Sequence, residues 1–140
     1  HLMASPLPGD LTPIDATECV ELLGRAPYVR IGFVQDGAPM VLPINILVHD
    51  DAIYLRTAMG SKLGSAAAGG QVAIEADHGD EDARIGWSVL AQGTASIVTD
   101  PALEETLFAQ RFEPWALPDT TTFWVRVEVA SIAGRRIVHA

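Results

Sequence analysis

A chain of 140 residues, 49% apolar and 19% charged, is long enough to close one hydrophobic core without disulfides or metal staples. Nine Lys and Arg against eighteen Asp and Glu leave a formal net charge of −9. That balance excludes a nucleic-acid groove or an anionic-membrane surface, because both need clustered cations. The single cysteine, Cys19, allows no intramolecular disulfide and points to a reducing compartment, the cytoplasm.

No apolar run approaches the ~20 residues that span a bilayer, and the N-terminus lacks the basic region and apolar core of a signal peptide. His1-Leu2-Met3-Ala4-Ser5 reads as a vector scar. Residues 1–10 are therefore expected to be a flexible lead-in, and residues 11–140 one domain. Thr12-Pro13-Ile14-Asp15 combines a capping Thr, a Pro suited to a first helical position and an early carboxylate, which predicts a helix of about three turns. Ile14, Val20, Leu22 and Leu23 supply its buried side, and Gly24 its stop.

From Tyr28 the pattern turns to β: Tyr28 to Val34, the turn pair Asp36-Gly37, then Met40 through Val48, with Ile53 to Thr57 as a third strand. Asp-Gly between two such runs signals a hairpin. Lys62 to Ala68 predicts a short helix closed by Gly69-Gly70, and Gln71 to Ala76 a fourth strand. A polar connection, His78 to Asp82, leads into a long alternating run, Arg84 to Val98, with Trp87, Val89, Ala91 and Ala95 on one parity. Asp100-Pro101 caps a helix to about Arg111, whose Leu103, Leu107 and Phe108 are spaced to face a sheet. A Pro-bracketed loop around Trp115 precedes a last run, Phe123 to about Ile132. Six strands broken by short helices predict a mainly β fold, an antiparallel barrel rather than βαβ units.

The segment Arg56 to Leu63 carries what a phosphate needs: Arg56 at a strand end, hydroxyls at Thr57 and Ser61, a flexible Gly60, and Lys62 opening a helix. Arg binds phosphate bidentately, Lys adds a point charge, and unpaired helix N–H groups favour an anion. By residue type alone, Arg56 and Lys62 read more readily as solvated loop cations than as a phosphate site.

The neighbours, in order, add a second kind of information. Asp36-Gly37-Ala38-Pro39 with Pro43-Ile44-Asn45, then Tyr54 to Leu63, then Gly86-Trp87-Ser88-Val89-Leu90 with Gly93 together resemble the pyridoxamine 5′-phosphate oxidase-like flavin-binding proteins. The resemblance is closest to their short bacterial members, among them the nitroimidazole-resistance proteins, and covers roughly Leu11 to Ile137. It implies a six-stranded split β-barrel that forms a homodimer and binds FMN between protomers. On this sequence, Val41 to Asn45 would run beside the flavin ring, with Pro43, Ile44 and Asn45 as its cofactor-binding residues. Arg56 and Thr57 would hold phosphate or ribityl oxygens, Ser61 and Lys62 the phosphate, and Trp87 and Ser88 would approach from the long strand, across the dimer interface. Without that context Pro43 and Asn45 read as a strand end or bulge, and Trp87 as core or interface packing.

The resemblance implies an oxidoreductase acting on a small-molecule substrate or reductant. The family's oxidase members carry extra terminal segments that grip pyridoxal phosphate, whereas this chain stops soon after Arg135-Arg136, so pyridoxamine phosphate oxidation itself is not expected. A deazaflavin-dependent reductase is the first alternative; its coenzyme's acidic tail would call for further cations, with Arg30 and Arg84 the nearest in sequence. A non-catalytic flavin carrier or sensor is the second. Haem ranks last, because His49, His78 and His139 fall in expected turns or at the tail, with no ligand spacing for zinc either. Cys19 is expected to be a buried, inert thiol, and Asp77 to Asp82 a solvated acidic turn.

Overall fold

The computed structural model of the chain describes residues 10–66, 69–110, 112, 114, 115 and 121–138. Among them are eight strands and three helices. In chain order these are β1 (Asp10–Ile14), α1 (Ala16–Arg25), β2 (Val29–Gln35), β3 (Ala38–Ile44), β4 (Leu47–His49), β5 (Ala52–Ala58), α2 (Lys62–Ala66), β6 (Gln71–Asp80), β7 (Ile85–Ile97), α3 (Pro101–Phe108) and β8 (Thr122–Val138). No described helix is long and apolar enough to cross a membrane.

The β2–β3 hairpin turns where the Asp-Gly pair predicts. Asp36 and Gly37 both have positive φ, 51° and 78°, the turn geometry whose twist matches that of the flanking strands. Val29, Ile31 and Phe33 on β2 point inward while Arg30 and Val34 point out, so period-2 alternation sorts the strand between core and outer face. On β7, Val89, Ala91 and Ala95 are buried. A bulge at Gln92/Gly93 bends the strand against β8.

The strands form one antiparallel sheet in the order β3-β2-β6-β7-β8-β5-β4, with β1 added to β8. β3 and β4 follow one another in the chain yet occupy opposite ends of that path. Only Asn45 and Ile46 lie between them. The result is a barrel split along one seam, and the expected mainly β split-barrel class holds, with eight strands in place of six. Its interior is filled by α1 residues Cys19, Leu22 and Leu23 together with inward residues of the sheet. A smaller cluster under α3 joins Tyr54, Leu107 and Trp124 on the other side of β5 and β8.

Several boundaries move, each for a tertiary reason. Thr12-Pro13 does not start a helix: β1 pairs there with the end of β8, Pro13 opposite Arg135. Asp15 is the cap, accepting from the Glu18 N–H at 2.8 Å. Gly24 is not the stop. The helix runs to Arg25 and ends at an extended Ala26, the conformation a following Pro27 imposes. The Met40-to-Val48 run breaks at Asn45-Ile46. β6 continues through His78 to Asp80 because β7 is long enough to pair with it, Asp80 opposite Ile85. The acidic connection shrinks to the turn after Asp80, and His78 and His49 lie on strands rather than in turns. β8 outruns Ile132 because β7 and β1 flank its last residues. α3 ends at Phe108, with Leu107 buried but Phe108 59% exposed; Asp100 caps it as expected, accepting from the Ala102 N–H at 3.0 Å.

Cys19 is fully buried and its thiol lies 3.6 Å from the Ile14 carbonyl. Burial, reinforced by Asp15 and Glu18, pushes its pKa up, which keeps it a thiol. Residues 1–9, residues 116–120 and His139 lie outside the described residues, and so does the expected vector scar.

Candidate functional site

The end of β5 turns into α2 through a loop shaped by small and hydroxylated residues. Gly60 has φ 79°, a conformation that glycine adopts at little cost. Ser61 Oγ donates to the Ala58 carbonyl at 2.8 Å, accepts from the Gly64 N–H at 2.9 Å, and lies 3.0 Å from Thr57 Oγ1. Its hydroxyl is thus engaged inside the loop, and its first role is to hold α2 against the strand end. Gly64 permits that closeness, since a Cβ there would stand 2.7 Å from the Ala58 carbonyl oxygen.

Arg56 is held from two directions. Its Nη2 donates to Thr122 Oγ1 at 2.8 Å, and its guanidinium carbon lies 5.0 Å from the Phe108 ring centre and 5.6 Å from that of Trp124. Its Nε is buried with no hydrogen-bond partner among the described residues. Lys62, in contrast, is exposed and makes no ion pair among the described residues.

These groups form the polar end of a cleft of about 850 Å³ at the seam of the barrel. Arg56, Thr57, Ser61 and Lys62 line one end, Leu42, Ile44 and Leu63 the apolar wall, and Tyr28 and Trp115 an aromatic flank. Pro43 and Asn45 line it as well. The structure therefore brings together seven of the nine residues singled out in the sequence: Pro43, Ile44, Asn45, Arg56, Thr57, Ser61 and Lys62. An apolar hollow of this size with a few convergent polar groups is the usual form of a cofactor site.

Trp87 and Ser88 are not part of that cleft in one protomer. Trp87 is half-buried against the core and borders a separate hollow of about 320 Å³ with Arg25, Arg30 and Asp77. Ser88 is exposed, opposite Asp77 on β6 and Arg135 on β8. Arg30 is engaged on the sheet's outer face, with Nη1 3.0 Å from Asp77 Oδ2 and 3.6 Å from Glu75 Oε2. Burial, then the adjacent Asp77 carboxyl, push Glu75 up to about 7 against the pull of Arg30. Tyr28 and Trp115 were not singled out in the sequence. Their only local signal is aromatic character beside prolines, which any surface loop shares.

Fold and cleft together define a split β-barrel with a cofactor-sized amphipathic site, and comparison with known proteins agrees. The family model described as pyridoxamine 5′-phosphate oxidase matches residues 15–136, and the chain belongs to this family. The uncharacterized protein Rv0080 of Mycobacterium tuberculosis is 35% identical over 135 residues, covering 92% of this chain and 87% of that protein. The solved FAD binding protein from Mycobacterium smegmatis is 37% identical with a TM-score of 0.80, covering 92% of this chain and all (100%) of that one. A 5-nitroimidazole antibiotic resistance protein from Bacteroides thetaiotaomicron shares the fold at 14% identity and a TM-score of 0.70, covering 97% of this chain and 94% of that one.

Proposed function

We propose that the cleft binds a flavin, FMN in the first instance, and that the protein is a flavin-dependent oxidoreductase acting on a small molecule. The observation that carries this is the unpaired cationic end of an apolar cleft. Arg56 and Lys62 both line this end, and neither makes an ion pair among the described residues. A phosphate can take charge-assisted hydrogen bonds from both, the guanidinium as a planar fork and the ammonium as a point charge. Leu42, Ile44 and Leu63 offer the apolar surface that a flat ring system requires.

Bound flavin supplies the redox chemistry itself, so the protein's part is to orient the ring and control access to it. Arg56 and Lys62 would anchor the phosphate, Thr57 and Ser61 would shape its loop, and the β3 segment Pro43-Ile44 would lie along the ring. The similarity to an FAD binding protein favours FAD as a second reading; its flavin half would use the same anchor. The deazaflavin reading loses support, because Arg30 is paired with Asp77 and Glu75 and the described cations of the cleft are Arg56 and Lys62 alone.

A homodimer is part of the proposal. Val34, Val41 and Leu90 are 64%, 65% and 42% exposed on the outer sheet face that also bears Arg30 and Glu75. Trp87 and Ser88 could then reach the site only from a partner protomer. Purified protein titrated with FMN, FAD and riboflavin is the test: binding should quench flavin fluorescence and raise Tm with the logarithm of ligand concentration above Kd. Absence of both effects with every flavin refutes the proposal. A flavin-loaded protein that no nicotinamide or deazaflavin reductant reduces would be a carrier or sensor instead.

A further inference from the structure

Asn45 stands at the seam where β3 gives way to β4, yet its side chain is already committed within the chain. Nδ2 donates to the Pro27 carbonyl at 2.9 Å, and Oδ1 accepts from the Trp115 N–H at 2.7 Å. The partner types fix the amide's orientation: a carbonyl can only accept and an N–H can only donate. One side chain thus ties together segments 18 and 70 residues away.

What those segments carry is aromatic. Tyr28 follows Pro27, and its ring centre lies 5.5 Å from that of Trp115 at an interplanar angle of 55°. Both rings line the cleft. Trp115 nevertheless remains 71% exposed, with Tyr28 its one ring contact among the described residues. A tryptophan normally buries most of its surface, so this one is held out over the cleft by its backbone bond rather than by packing.

We propose that Asn45 is a positioning residue that clamps Trp115 beside Tyr28 as a preformed aromatic wall, and that Trp115 is the surface on which the flavin ring stacks. The stacking half rests on the flavin reading; the clamp does not. Holding the wall in place before the ligand arrives lowers the ordering cost of binding. It also separates two tasks in the cleft: Arg56 and Lys62 select the phosphate, Asn45 and Trp115 the ring. Asn45 itself then makes no essential contact with the cofactor.

The test has two arms on the full chain. In ligand-free protein, hydrogen exchange read by NMR should show the Trp115 amide protected at least tenfold relative to Asn45→Ala. Asn45→Asp, which keeps the acceptor for Trp115 and loses the donor to Pro27, should retain most of that protection. Equal exchange in wild type and Asn45→Ala refutes the clamp, and Asn45→Leu, of similar volume but without the acceptor, decides the point by the same comparison if the alanine variant does not fold. In the second arm, Asn45→Ala and Trp115→Leu should weaken FMN and riboflavin alike, by about tenfold, and Trp115→Leu should relieve flavin fluorescence quenching. Wild-type binding with unchanged affinity and quenching in both variants overturns the stacking while leaving the flavin reading intact. No flavin binding to wild type overturns that reading and the stacking together, and leaves the clamp to be decided by exchange.

Discussion

Replacing Lys62 by alanine separates the charge of the cleft from its architecture. Lys62 is exposed and opens α2 without an ion pair among the described residues, so its loss should change stability by no more than about 0.5 kcal/mol. A hydrogen bond to a charged group contributes about 1.5–3 kcal/mol. At ~1.4 kcal/mol per decade, FMN affinity should fall roughly 10- to 100-fold. Arg56→Ala should lose similar affinity and also destabilise the fold. It deletes the bond to Thr122 and the stacking on Phe108 and Trp124, about 1 kcal/mol for the first and about 0.5–1 for each ring. Fluorescence-quenching titrations at fixed salt, with urea unfolding alongside, measure both quantities. Riboflavin is the control, because it lacks the phosphate: Lys62→Ala should leave its affinity unchanged. Wild-type FMN affinity in Lys62→Ala, or equal losses for FMN and riboflavin, would refute the phosphate anchor.

Glu75 makes stability depend on pH. Its folded pKa of about 7 lies above the ordinary 4.5, so folding favours the protonated form; that contribution is full below about pH 4.5 and is lost as pH rises through 7. Thermal unfolding of Glu75→Gln across this window should show a flatter dependence than wild type, and identical slopes would dismiss Glu75 as the source. Gly93 sits at the β7 bulge, where a Cβ would stand 2.0 Å from the Glu128 carbonyl oxygen. Gly93→Ala should therefore cost about 3 kcal/mol or more in urea unfolding as β7 and β8 separate locally, and a cost below 1 kcal/mol would mean the bulge yields freely. Gly64→Ala meets the Ala58 carbonyl at 2.7 Å and the Phe123 ring at 3.2 Å, so it should lower stability by about 1–3 kcal/mol and weaken FMN by displacing α2. Unaltered FMN affinity would place the phosphate away from this loop.

Much of the site was legible because it is local. The Asp36-Gly37 turn, the Asp100-Pro101 cap and the Arg56-to-Lys62 loop each act within a few residues, where backbone geometry follows side-chain type. Pairings between distant segments were not legible. Thr12-Pro13 carries helix-start chemistry yet forms a strand, because residues 134–138 offer it a ladder. His78 to Asp80 look like a turn yet extend β6, because β7 offers partners. Asn45 resembles a cofactor contact in its motif, and only the positions of Pro27 and Trp115 reveal that its amide is already occupied.

By itself, the sequence determined the β class, the hairpin, the residues of the Arg56-to-Lys62 loop and, through the order of its motifs, the family. Tertiary structure alone decided that β3 and β4 would leave a seam, that seven of the nine candidate residues would share one cleft, and that Trp87 and Ser88 would lie outside it. The physical reason is that a strand's face and partner depend on register with segments far away in the chain. Side-chain chemistry names the groups available for a site. The closing of the barrel determines which of them meet.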